Sequence, residues 1–380
     1  MQLSVVILNY NVRYFLEQCI GSVQKAIANL DAEIIVVDNA SPDDSCAMVR
    51  EKFPSVTLVE NRDNVGFPKG NNMGVARAKG DYICILNPDT VVAEDTFEKV
   101  LAFAKSKQDL GIVGCKLIDG TGRFLPESKR GIPTPWVAFT KVMGLYKLSD
   151  VFGKYYASHL SENESGKVDI LVGAFMVMKR ETYLEVGGFD EDCFMYSDDI
   201  DLSYMVLKTG RSNYYFHETS VMHYKGESTV RDGRYMRRFR EAMDFFYRKH
   251  FRVNVLFDVF MKTGAFFFTL AKKSKVVERK KVSRYQLVSN DDNLLQTIGS
   301  TTGKTAFFQS GFASGQSDFE PGTEMVFDKN YLTFSQIISE MQHLHGKGIT
   351  FKIAHKKDGF MLGSNSSDDR GEVVLLTDYR

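Results

Sequence analysis

The fold is decided by two neighbouring stretches of the chain, NVGFPKGNNMG at Asn64–Gly74 and GDYICILNPD at Gly80–Asp89. The run Tyr82–Leu86 is continuously apolar, which is typical of a strand covered by helices on both faces. Pro88 has no N–H to donate and ends this strand, so the carboxylate of Asp89 is exposed just beyond it. Ligands of open α/β sheets bind at such strand ends, and a carboxylate suits Mg²⁺ or Mn²⁺ beside a diphosphate. An ordinary turn that ends the strand is the alternative.

Strand-like and helix-like segments alternate through the first third of the chain. The predicted strands are Ser4–Leu8, Glu33–Val37, Thr57–Glu60, Tyr82–Leu86 and Ile112–Gly114. The predicted helices are Val12–Asn29, Asp43–Lys52, Lys69–Lys79 and Glu94–Lys105. This alternation predicts an α/β fold with a mostly parallel sheet and helices on both of its faces.

The overall composition limits the kind of protein. With 380 residues, the chain is long enough for a catalytic core and a smaller second unit. It holds 48 basic and 48 acidic residues, so it lacks the positive field typical of nucleic-acid-binding proteins, and no nucleic-acid partner is expected. The five cysteines are odd in number and lack metal-binding spacing, which indicates free thiols in a reducing compartment. The N-terminus reaches Asn9 too soon for a signal peptide, so we expect a cytoplasmic protein.

Polar residues follow three of the predicted strands. Asn9 comes directly after the first strand, Asp38 after the second, and Asp89 shortly after the fourth. Because the carboxyl ends of parallel strands meet at one edge of a sheet, we expect a nucleotide pocket on this rim. Asp38 can accept from a base N–H or a ribose hydroxyl, and Asn9 can frame the base. Alternatively, Asp38 starts a turn and Ser41 caps the helix that follows.

The glycine-rich stretch lies between the third and fourth predicted strands. It contains neither G-x-G-x-x-G nor G-K-[ST], so it is neither a dinucleotide fingerprint nor a P-loop. Gly66 and Gly70 allow a tight backbone turn, and the amides of Asn71 and Asn72 open the following helix. Amide groups at a helix start can bind a base or a phosphate, so this stretch is a candidate binding loop.

Three carboxylates crowd the segment FMYSDDIDL, at Phe194–Leu202. Asp198, Asp199 and Asp201 repel one another, so at least one pKa rises unless a metal, a cation or a helix N-terminus compensates. Such crowding is typical of acid–base sites. We expect Asp201 to start a helix over Leu202–Thr209 and to hold a local amide. An acidic first helical turn with no catalytic role is the alternative.

These motifs occur in an order that is typical of one enzyme family. VVDNASPD at Val36–Asp43, the Asn64–Gly74 stretch and LNPD at Leu86–Asp89 together resemble the family 2 glycosyltransferases with the GT-A fold. The similarity is closest to rhamnosyltransferase-like members that build bacterial surface polysaccharides, and it covers Gln2–Phe251. It implies a Rossmann-like GT-A catalytic domain that transfers a sugar, with inversion, from a nucleotide-diphosphate sugar.

The resemblance also implies how the donor is bound. Asp38 binds the nucleoside, Asn71 lies near the base, and Asp89 is the metal-binding aspartate of a D-x-D-like motif. Asn87 replaces the first aspartate of that motif, which implies weaker intrinsic metal affinity, with the donor diphosphate completing the site. The implied nucleotide-sugar-binding residues are Asn9, Asp38, Asn64, Gly66, Asn71 and Asp89.

The same resemblance assigns the chemistry to the second half of the region. The aspartate of the family's Glu-Asp pair falls on Asp199, which is implied to be the general base, and Asp198 occupies the Glu position. His223 lies in a segment similar to the family's His-x-x-Gly-x-Ser pattern, and with Asp89 it is implied to hold Mn²⁺ or Mg²⁺. A structural histidine is the alternative for His223. Arg130, on a Pro/Gly-rich loop, is a candidate contact for the donor phosphates.

Past Phe251 the resemblance weakens. The predicted division is a GT-A domain, a basic helical linker and a small α/β unit of no assigned role, at residues 1–251, 252–283 and 284–380. Val253–Ala271 is rich in aromatic and aliphatic residues, and the basic run Lys272–Lys281 follows it. This combination suits an interfacial anchor, so we expect peripheral contact with the inner face of the cell membrane. A helix packed on the catalytic domain is the alternative.

The last part of the chain has strand and helix patterns of its own. The predicted strands are Tyr285–Val288, Thr305–Phe308, Ile349–Ile353 and Val373–Leu376. A helix is predicted over Ser335–His345 with Thr333 as its cap, and Gly359–Ser366 is predicted to be a Gly/Ser-rich turn that can bind an anion.

Together these inferences predict a metal-dependent glycosyltransferase that acts on a glycan or lipid-linked glycan acceptor in cell-surface polysaccharide synthesis. A nucleotidyltransferase is one alternative, but it needs a loop rich in Gly, Arg and Lys after the first strand, where this chain has Asn9-Tyr10-Asn11. A non-catalytic nucleotide-sugar-binding protein is the other alternative. The presence of Asp89, Asp199 and His223 favours the enzyme.

Overall fold

The computed structural model describes most of the chain, at residues 1–134, 137, 156–225, 233–251, 281–309, 311, 319–366 and 370–376. These residues form two β-sheets with helices packed on them. The aromatic segment Val253–Ala271 and residues 272–280, on which the predicted membrane anchor depends, lie outside the described residues. Within the described part, no helix combines the length and the apolar character that crossing a bilayer requires.

The first sheet carries the strand ends singled out above. Its order is β3-β2-β1-β4-β8-β6-β9-β5, with β7 beside β9. The strands are β1 Leu3–Asn9, β2 Ala32–Asp38, β3 Thr57–Glu60, β4 Tyr82–Leu86, β5 Thr90–Val91, β6 Leu110–Ile118, β7 Gly166–Val168, β8 Phe175–Lys179 and β9 Ser212–His223. Strands β3, β2, β1 and β4 run parallel, and β8 is antiparallel to both β4 and β6. The sheet is therefore mixed, with a parallel half that carries the predicted nucleotide rim.

Helices cover both faces of this sheet, as the alternating pattern predicts. They are α1 Arg13–Ala26, α2 Ser45–Lys52, α3 Phe67–Val75, α4 Thr96–Lys105, α5 Arg180–Glu185, α6 Asp198–Lys208 and α7 Gly233–His250. On one face, Leu16 of α1 and Val100 of α4 pack in an apolar cluster with the sheet. On the other face, Val75 of α3 and Leu202 of α6 do the same. Burying apolar side chains on both faces makes β1 and β4 continuously buried strands.

The acidic motif lies inside a helix rather than before one. The predicted helix Leu202–Thr209 starts too late, because α6 already begins at Asp198 and carries the carboxylates in its first turn. Negative charges are stabilised at that position by the helix dipole. The expectation that Asp201 holds a local amide is also wrong. Its carboxylate contacts Lys249 Nζ at 2.8 Å and His250 Nε2 at 2.5 Å, and so joins α6 to α7.

The second sheet is formed by the C-terminal part of the chain, in the order β11-β10-β12-β13-β14-β15. Its strands are β10 Arg284–Val288, β11 Thr305–Phe308, β12 Thr323–Asp328, β13 Thr350–His355, β14 Phe360–Gly363 and β15 Glu372–Leu375. Its helices are α8 Asp292–Thr302 and α9 Phe334–Leu344. Thr333 caps α9 in a capping box with Gln336, which confirms the predicted cap.

One prediction for this sheet is wrong, and two of its elements are not predicted. The expected turn at Gly359–Ser366 contains β14, because Phe360 and Leu362 are buried and pair with β13. Strand β12 and helix α8 were not predicted. In β12 the polar Glu324 interrupts the apolar pattern, and its carboxylate is buried within 3.6 Å of the Lys352 ammonium of β13.

The two sheets are joined by a shared apolar cluster. Phe15 of α1 and Met222 of β9 belong to the same buried cluster as Phe327 of β12 and Ile337 of α9. The backbone N–H groups of Phe334 and Ser335 also donate to the Glu94 carboxylate of the first region, at 2.8 and 3.0 Å. The C-terminal sheet is therefore packed directly against the region that carries the predicted site.

Candidate active site

The carboxyl ends of β1 and β2 place Asn9 and Asp38 side by side. The two residues are paired in the parallel register, and Asn9 Nδ2 donates to Asp38 Oδ1 at 2.7 Å. Asp38 also accepts from Ser41, whose hydroxyl donates at 2.6 Å and whose backbone N–H donates at 2.8 Å. Asp38 thus both starts a turn, as the alternative interpretation holds, and lies on the rim with Asn9.

The glycine-rich loop enters α3 beside the acidic motif. Gly66 has a φ of 86°, and a Cβ atom there would lie 2.9 Å from the ring of Phe194. Asn64 Oδ1 accepts from the Gly66 N–H at 3.1 Å, which holds the turn. Asn71 is buried and donates from Nδ2 to the Phe67 carbonyl at 2.9 Å. Glycine is needed at position 66 for both its backbone conformation and this close approach.

Asp89 and His223 come together although they are distant in the sequence. The β5–β9 pairing sets Thr90 opposite His223, and His223 Nε2 lies 3.3 Å from Asp89 Oδ1. Asn87 Nδ2 lies 3.3 Å from the same imidazole nitrogen. No group of three or more His, Cys, Asp or Glu side chains suited to a metal occurs among the described residues. This pair therefore offers two ligands, and further oxygens have to come from Asn87 or from a bound substrate.

Three buried amide oxygens on this rim have no hydrogen-bond partner in the described part of the protein. They belong to Asn9, Asn71 and Asn87. Leaving a buried acceptor unpaired costs about 1–3 kcal/mol, so such atoms call for an explanation. A ligand that donates hydrogen bonds to Asn9 and Asn71, and a cation beside Asn87, would satisfy all three.

The two carboxylates that open α6 lie in different surroundings. Asp199 Oδ2 accepts from Arg130 Nη2 at 2.6 Å and from the Gly173 N–H at 3.1 Å. Burial, together with the charge of Asp199, raises the pKa of Asp198 to about 7. Near neutral pH, Asp198 is thus partly protonated, while the Asp199 carboxylate is paired with the Arg130 guanidinium. Two adjacent carboxylates in such unequal environments are typical of acid–base sites.

A short hydrogen-bonded path joins the region of Asp198 and Asp199 to the region of Asp89 and His223. The Asn87 N–H donates to the Ala174 carbonyl at 3.1 Å, one residue from the Gly173 N–H that binds Asp199. The antiparallel pairing of β4 with β8 produces this contact. Asp199 and Asp89 therefore lie on neighbouring parts of the same rim.

Unusual backbone conformations cluster at the same loops. Four non-glycine residues with positive φ are Asn11, Ala40, Tyr196 and Lys225, and each lies two residues from Asn9, Asp38, Asp198 or His223. A fifth such residue among those described, Ala157, lies elsewhere. Such conformations cost of order 1–3 kcal/mol each and concentrate at functional sites.

Two features of the site were incompletely predicted. Arg130 was expected to meet the donor phosphates, but in the structure its guanidinium contacts Asp199 and the Leu171 carbonyl, at 2.6 and 2.7 Å. Gly173 was not predicted to contribute at all. The available signal was the pair of small residues Gly173-Ala174 at the start of an apolar run, which leaves room for the Asp199 side chain.

Comparison with known proteins matches the part of the chain that carries Asn9, Asp38 and Asp89. The family model described as glycosyl transferase family 2 matches residues 4–187. Residues 4–187, just under half of the chain, are thus similar to glycosyl transferase family 2. The predicted activity as a glycosyltransferase and the predicted GT-A fold class are thereby confirmed.

Two curated relatives of this glycosyltransferase are rhamnosyltransferases, which confirms the predicted resemblance to that subgroup. N-acetylglucosaminyl-diphospho-decaprenol L-rhamnosyltransferase of Mycobacterium tuberculosis is 25% identical over 241 residues, covering 60% of this chain and 78% of the relative. Rhamnosyltransferase WbbL of Escherichia coli is 26% identical over 217 residues, covering 53% of this chain and 78% of the relative. Among solved structures, the mannosyltransferase PcManGT of Pyrobaculum calidifontis, in complex with GDP-Man and Mn²⁺, is 20% identical with a TM-score of 0.46. That alignment covers 64% of this chain and 61% of the other.

Proposed function

We propose that this glycosyltransferase is metal-dependent and inverting, and moves a sugar from a nucleotide-diphosphate sugar to a hydroxyl of a glycan or lipid-linked glycan. The proposal is supported above all by one observation: Asp89 meets His223 on a rim where the buried amide oxygens of Asn9, Asn71 and Asn87 lack partners among the described residues. The names of the two relatives support rhamnosyl transfer, and one of them names a lipid-linked diphosphate sugar as the acceptor.

The donor nucleoside is proposed to bind at the ends of β1 and β2. Asp38 already accepts three hydrogen bonds, so it orients Asn9 and the turn after β2. The amide oxygens of Asn9 and Asn71, which have no partner among the described residues, suit N–H and O–H donors of a base or ribose. Asn64 and Gly66 are proposed to shape the loop that closes this pocket.

Asp89 and His223 are proposed to hold Mn²⁺ or Mg²⁺ when the donor binds. The side chains fit such an ion, because a carboxylate and an imidazole lie 3.3 Å apart there and the Asn87 amide contacts the same imidazole. A bound divalent cation would neutralise the charge that develops on the leaving diphosphate. With two strong protein ligands, the site depends on the diphosphate oxygens to complete the coordination.

Asp199 is proposed to be the general base. Its carboxylate accepts the proton of the acceptor hydroxyl while that oxygen attacks the anomeric carbon, and the carbon–oxygen bond to the diphosphate breaks. The leaving nucleoside diphosphate takes the bonding electron pair. The anomeric configuration inverts because the acceptor oxygen attacks the face of the anomeric carbon opposite the diphosphate. Arg130 and the Gly173 N–H hold the Asp199 carboxylate in place. Asp198 is proposed to support this charge rather than to accept the proton.

The acceptor of such an enzyme is proposed to lie at a membrane, in the assembly of cell-surface polysaccharide. The basic and aromatic composition of Val253–Lys281 supports peripheral binding to an anionic membrane surface from the cytoplasm.

The test is a transfer assay on the full chain. Purified protein with Mn²⁺ is incubated with dTDP-rhamnose, and with UDP- and GDP-sugars in parallel, together with a synthetic N-acetylglucosaminyl-diphospho-lipid. We expect release of one nucleoside diphosphate, and a product whose anomeric configuration, read by NMR, is opposite to that of the donor. Retained configuration would contradict inversion. Release of pyrophosphate from a sugar phosphate and a nucleoside triphosphate would instead indicate a nucleotidyltransferase.

A further inference from the structure

Tyr224, the residue after His223, is linked to both Asp89 and His223. The backbone N–H of Tyr224 donates to the Asp89 carbonyl at 3.0 Å, and Tyr224 follows His223 directly in the chain. Its side chain is buried, and its hydroxyl accepts from Gln18 Nε2 at 2.8 Å. The placement of Tyr224 therefore affects the main chain of Asp89 and His223 together.

Gln18 links Tyr224 to the C-terminal sheet. Its Oε1 lies 2.6 Å from Nε2 of His355, the last residue of β13, and both side chains are buried. With the amide nitrogen of Gln18 donating to Tyr224, its oxygen accepts from the His355 N–H. The His355 ring is itself stacked on Phe360 of β14, with ring centroids 4.4 Å apart. A continuous buried chain of hydrogen bonds thus runs from the second sheet to the rim of the first.

One face of α1 packs against residues that lie next to His223 and Asp89 in the sequence. Phe15, Gln18 and Cys19 have the i, i+3, i+4 spacing of a single helix face. The Phe15 ring packs edge-on against Tyr224 at 5.1 Å between centroids, and Cys19 Sγ lies 3.5 Å from the Asn87 carbonyl. Helix α1 therefore packs directly behind the Asp89–His223 pair, and Gln18 lies on the helix face that does so.

The C-terminal unit is fixed against α1 by charged contacts as well as by the shared apolar cluster. Lys52, at the end of α2, bridges Glu17 of α1 and Asp358 at 2.5 and 2.9 Å. Asp358 lies three residues after His355 and also pairs with Lys329 at 2.7 Å. These contacts fix the position of His355 along the axis of α1.

We propose that Gln18 and His355 are positioning residues for the Asp89–His223 pair, so that the C-terminal α/β unit helps set the affinity of the site for Mn²⁺ and diphosphate. The inference rests on the proposed function, because it deepens the role of the same two ligands. A buried hydrogen-bonded network rigidifies the groups that it joins. Metal ligands need such support, because small displacements of a ligand weaken the site.

The test measures how much Mn²⁺ the full chain needs to bind a nucleoside diphosphate. Calorimetric titrations with UDP, dTDP and GDP are repeated over a range of Mn²⁺ concentrations, for the wild type and for Gln18→Met and His355→Leu. Each substitution removes the hydrogen bonds of the chain while keeping a side chain of similar length. We expect the Mn²⁺ concentration for half-maximal binding to rise on the order of tenfold in both variants. Binding of the free nucleoside, followed by ligand-observed NMR, should not change.

Two further variants separate positioning from general stability. His355→Gln retains an N–H donor at the distance of the imidazole Nε2, so it should restore a nearly normal Mn²⁺ requirement. Ile337→Ala truncates a buried residue of the shared apolar cluster that takes no part in the chain, so it should lower the melting temperature without changing the Mn²⁺ requirement.

The outcomes are distinguishable from failure of the proposed function. If the wild type binds none of the three diphosphates with Mn²⁺, the proposed function itself fails. If the wild type binds one of them and both chain-breaking variants need no more Mn²⁺ than it does, the positioning role is overturned. An equal shift in Ile337→Ala would also overturn it, because the effect would then follow stability alone.

Discussion

At the scale of single residues, the adjacent carboxylates Asp198 and Asp199 illustrate how environment divides two like groups. Asp199 accepts hydrogen bonds from the Arg130 guanidinium and the Gly173 N–H. Burial, and then the charge of Asp199, raises the pKa of Asp198 to about 7, so its neutral form prevails in mildly acidic solution. A general base has to be ionised when the substrate arrives, which suits Asp199 better than its neighbour.

The first prediction compares Asp199→Asn with Asp198→Asn. Asn keeps the size of the side chain but cannot take the proton, so Asp199→Asn should lower kcat on the order of 10²–10⁴-fold, with little change in donor affinity. Asp198→Asn resembles the protonated form that Asp198 adopts below its pKa of about 7. Its kcat should therefore match the wild type at pH 6 and depart from it as the pH rises above 7. Steady-state kinetics between pH 5.5 and 8.5 measure both effects.

The result that would contradict this assignment is equally specific. If Asp198→Asn abolishes turnover at pH 6 while Asp199→Asn stays active, the base is Asp198. The Arg130–Asp199 ion pair would then serve only to hold the first turn of α6.

At the scale of elements, the loop into α3 shows why one glycine is irreplaceable and another is not. Gly66 combines a φ of 86° with a ring of Phe194 that a Cβ would approach to 2.9 Å. Gly21, in the middle of α1, has nothing within 4 Å of its Cβ position and no positive φ. The loop therefore needs glycine for its geometry, whereas the helix does not.

The second prediction follows from that contrast. Gly66→Ala forces alanine into a φ of 86° and a ψ of 173°, a backbone region essentially limited to glycine, at a cost of order 1–3 kcal/mol. The added Cβ also displaces Phe194, so both the melting temperature and the affinity for nucleoside diphosphate should fall. Gly21→Ala should leave the affinity unchanged and raise stability by up to about 1 kcal/mol. Scanning calorimetry and titration calorimetry report the two quantities. A Gly66→Ala protein as stable and as tightly binding as the wild type would refute the geometric argument.

The elements also show how far the sequence alone could lead. Strands β3 and β4 were predicted with the bounds that the structure shows, because a short apolar run and its flanking turn residues are local signals. Strand β12 was missed because its polar Glu324 is buried through pairing with Lys352, a partner in another strand. Hydrogen bonds between distant residues, such as Arg130 with Asp199, leave no local pattern in the sequence.

At the scale of the whole molecule, two sheets share one apolar cluster and a buried polar chain. The rim residues of the site were found from strand ends and a family resemblance, since both follow from local motifs. The joining of the C-terminal unit to that rim was not predicted, because Gln18 and His355 are separated by most of the chain and neither lies in a recognisable motif. Because His355 can be protonated, its contribution to the contact between the two sheets can be measured as a change of stability with pH.

The third prediction concerns the pH dependence of stability. Burial lowers the pKa of His355 to about 3, whereas an unfolded histidine titrates near 6.5. Below about pH 6.5 the unfolded chain binds a proton that the folded chain does not. Through His355, the free energy of unfolding therefore falls by about 1.4 kcal/mol per pH unit as the pH falls toward 3. His355→Gln cannot titrate, so the stability difference between wild type and variant should shrink between pH 7 and pH 4.5. If the stability difference between wild type and His355→Gln stays constant across that pH range, His355 is not buried in its neutral form.

The most direct test of the account is the metal dependence of nucleoside diphosphate binding. Titration calorimetry of UDP, dTDP and GDP is performed on the wild type with Mn²⁺, the wild type with EDTA, and Asp89→Ala with Mn²⁺. Asp89 Oδ1 and His223 Nε2 lie 3.3 Å apart, and the diphosphate and the Asp89 carboxylate repel each other without a cation. We therefore expect binding of one diphosphate only to the wild type with Mn²⁺. Equal affinity in all three conditions would contradict the proposed metal-bridged donor site.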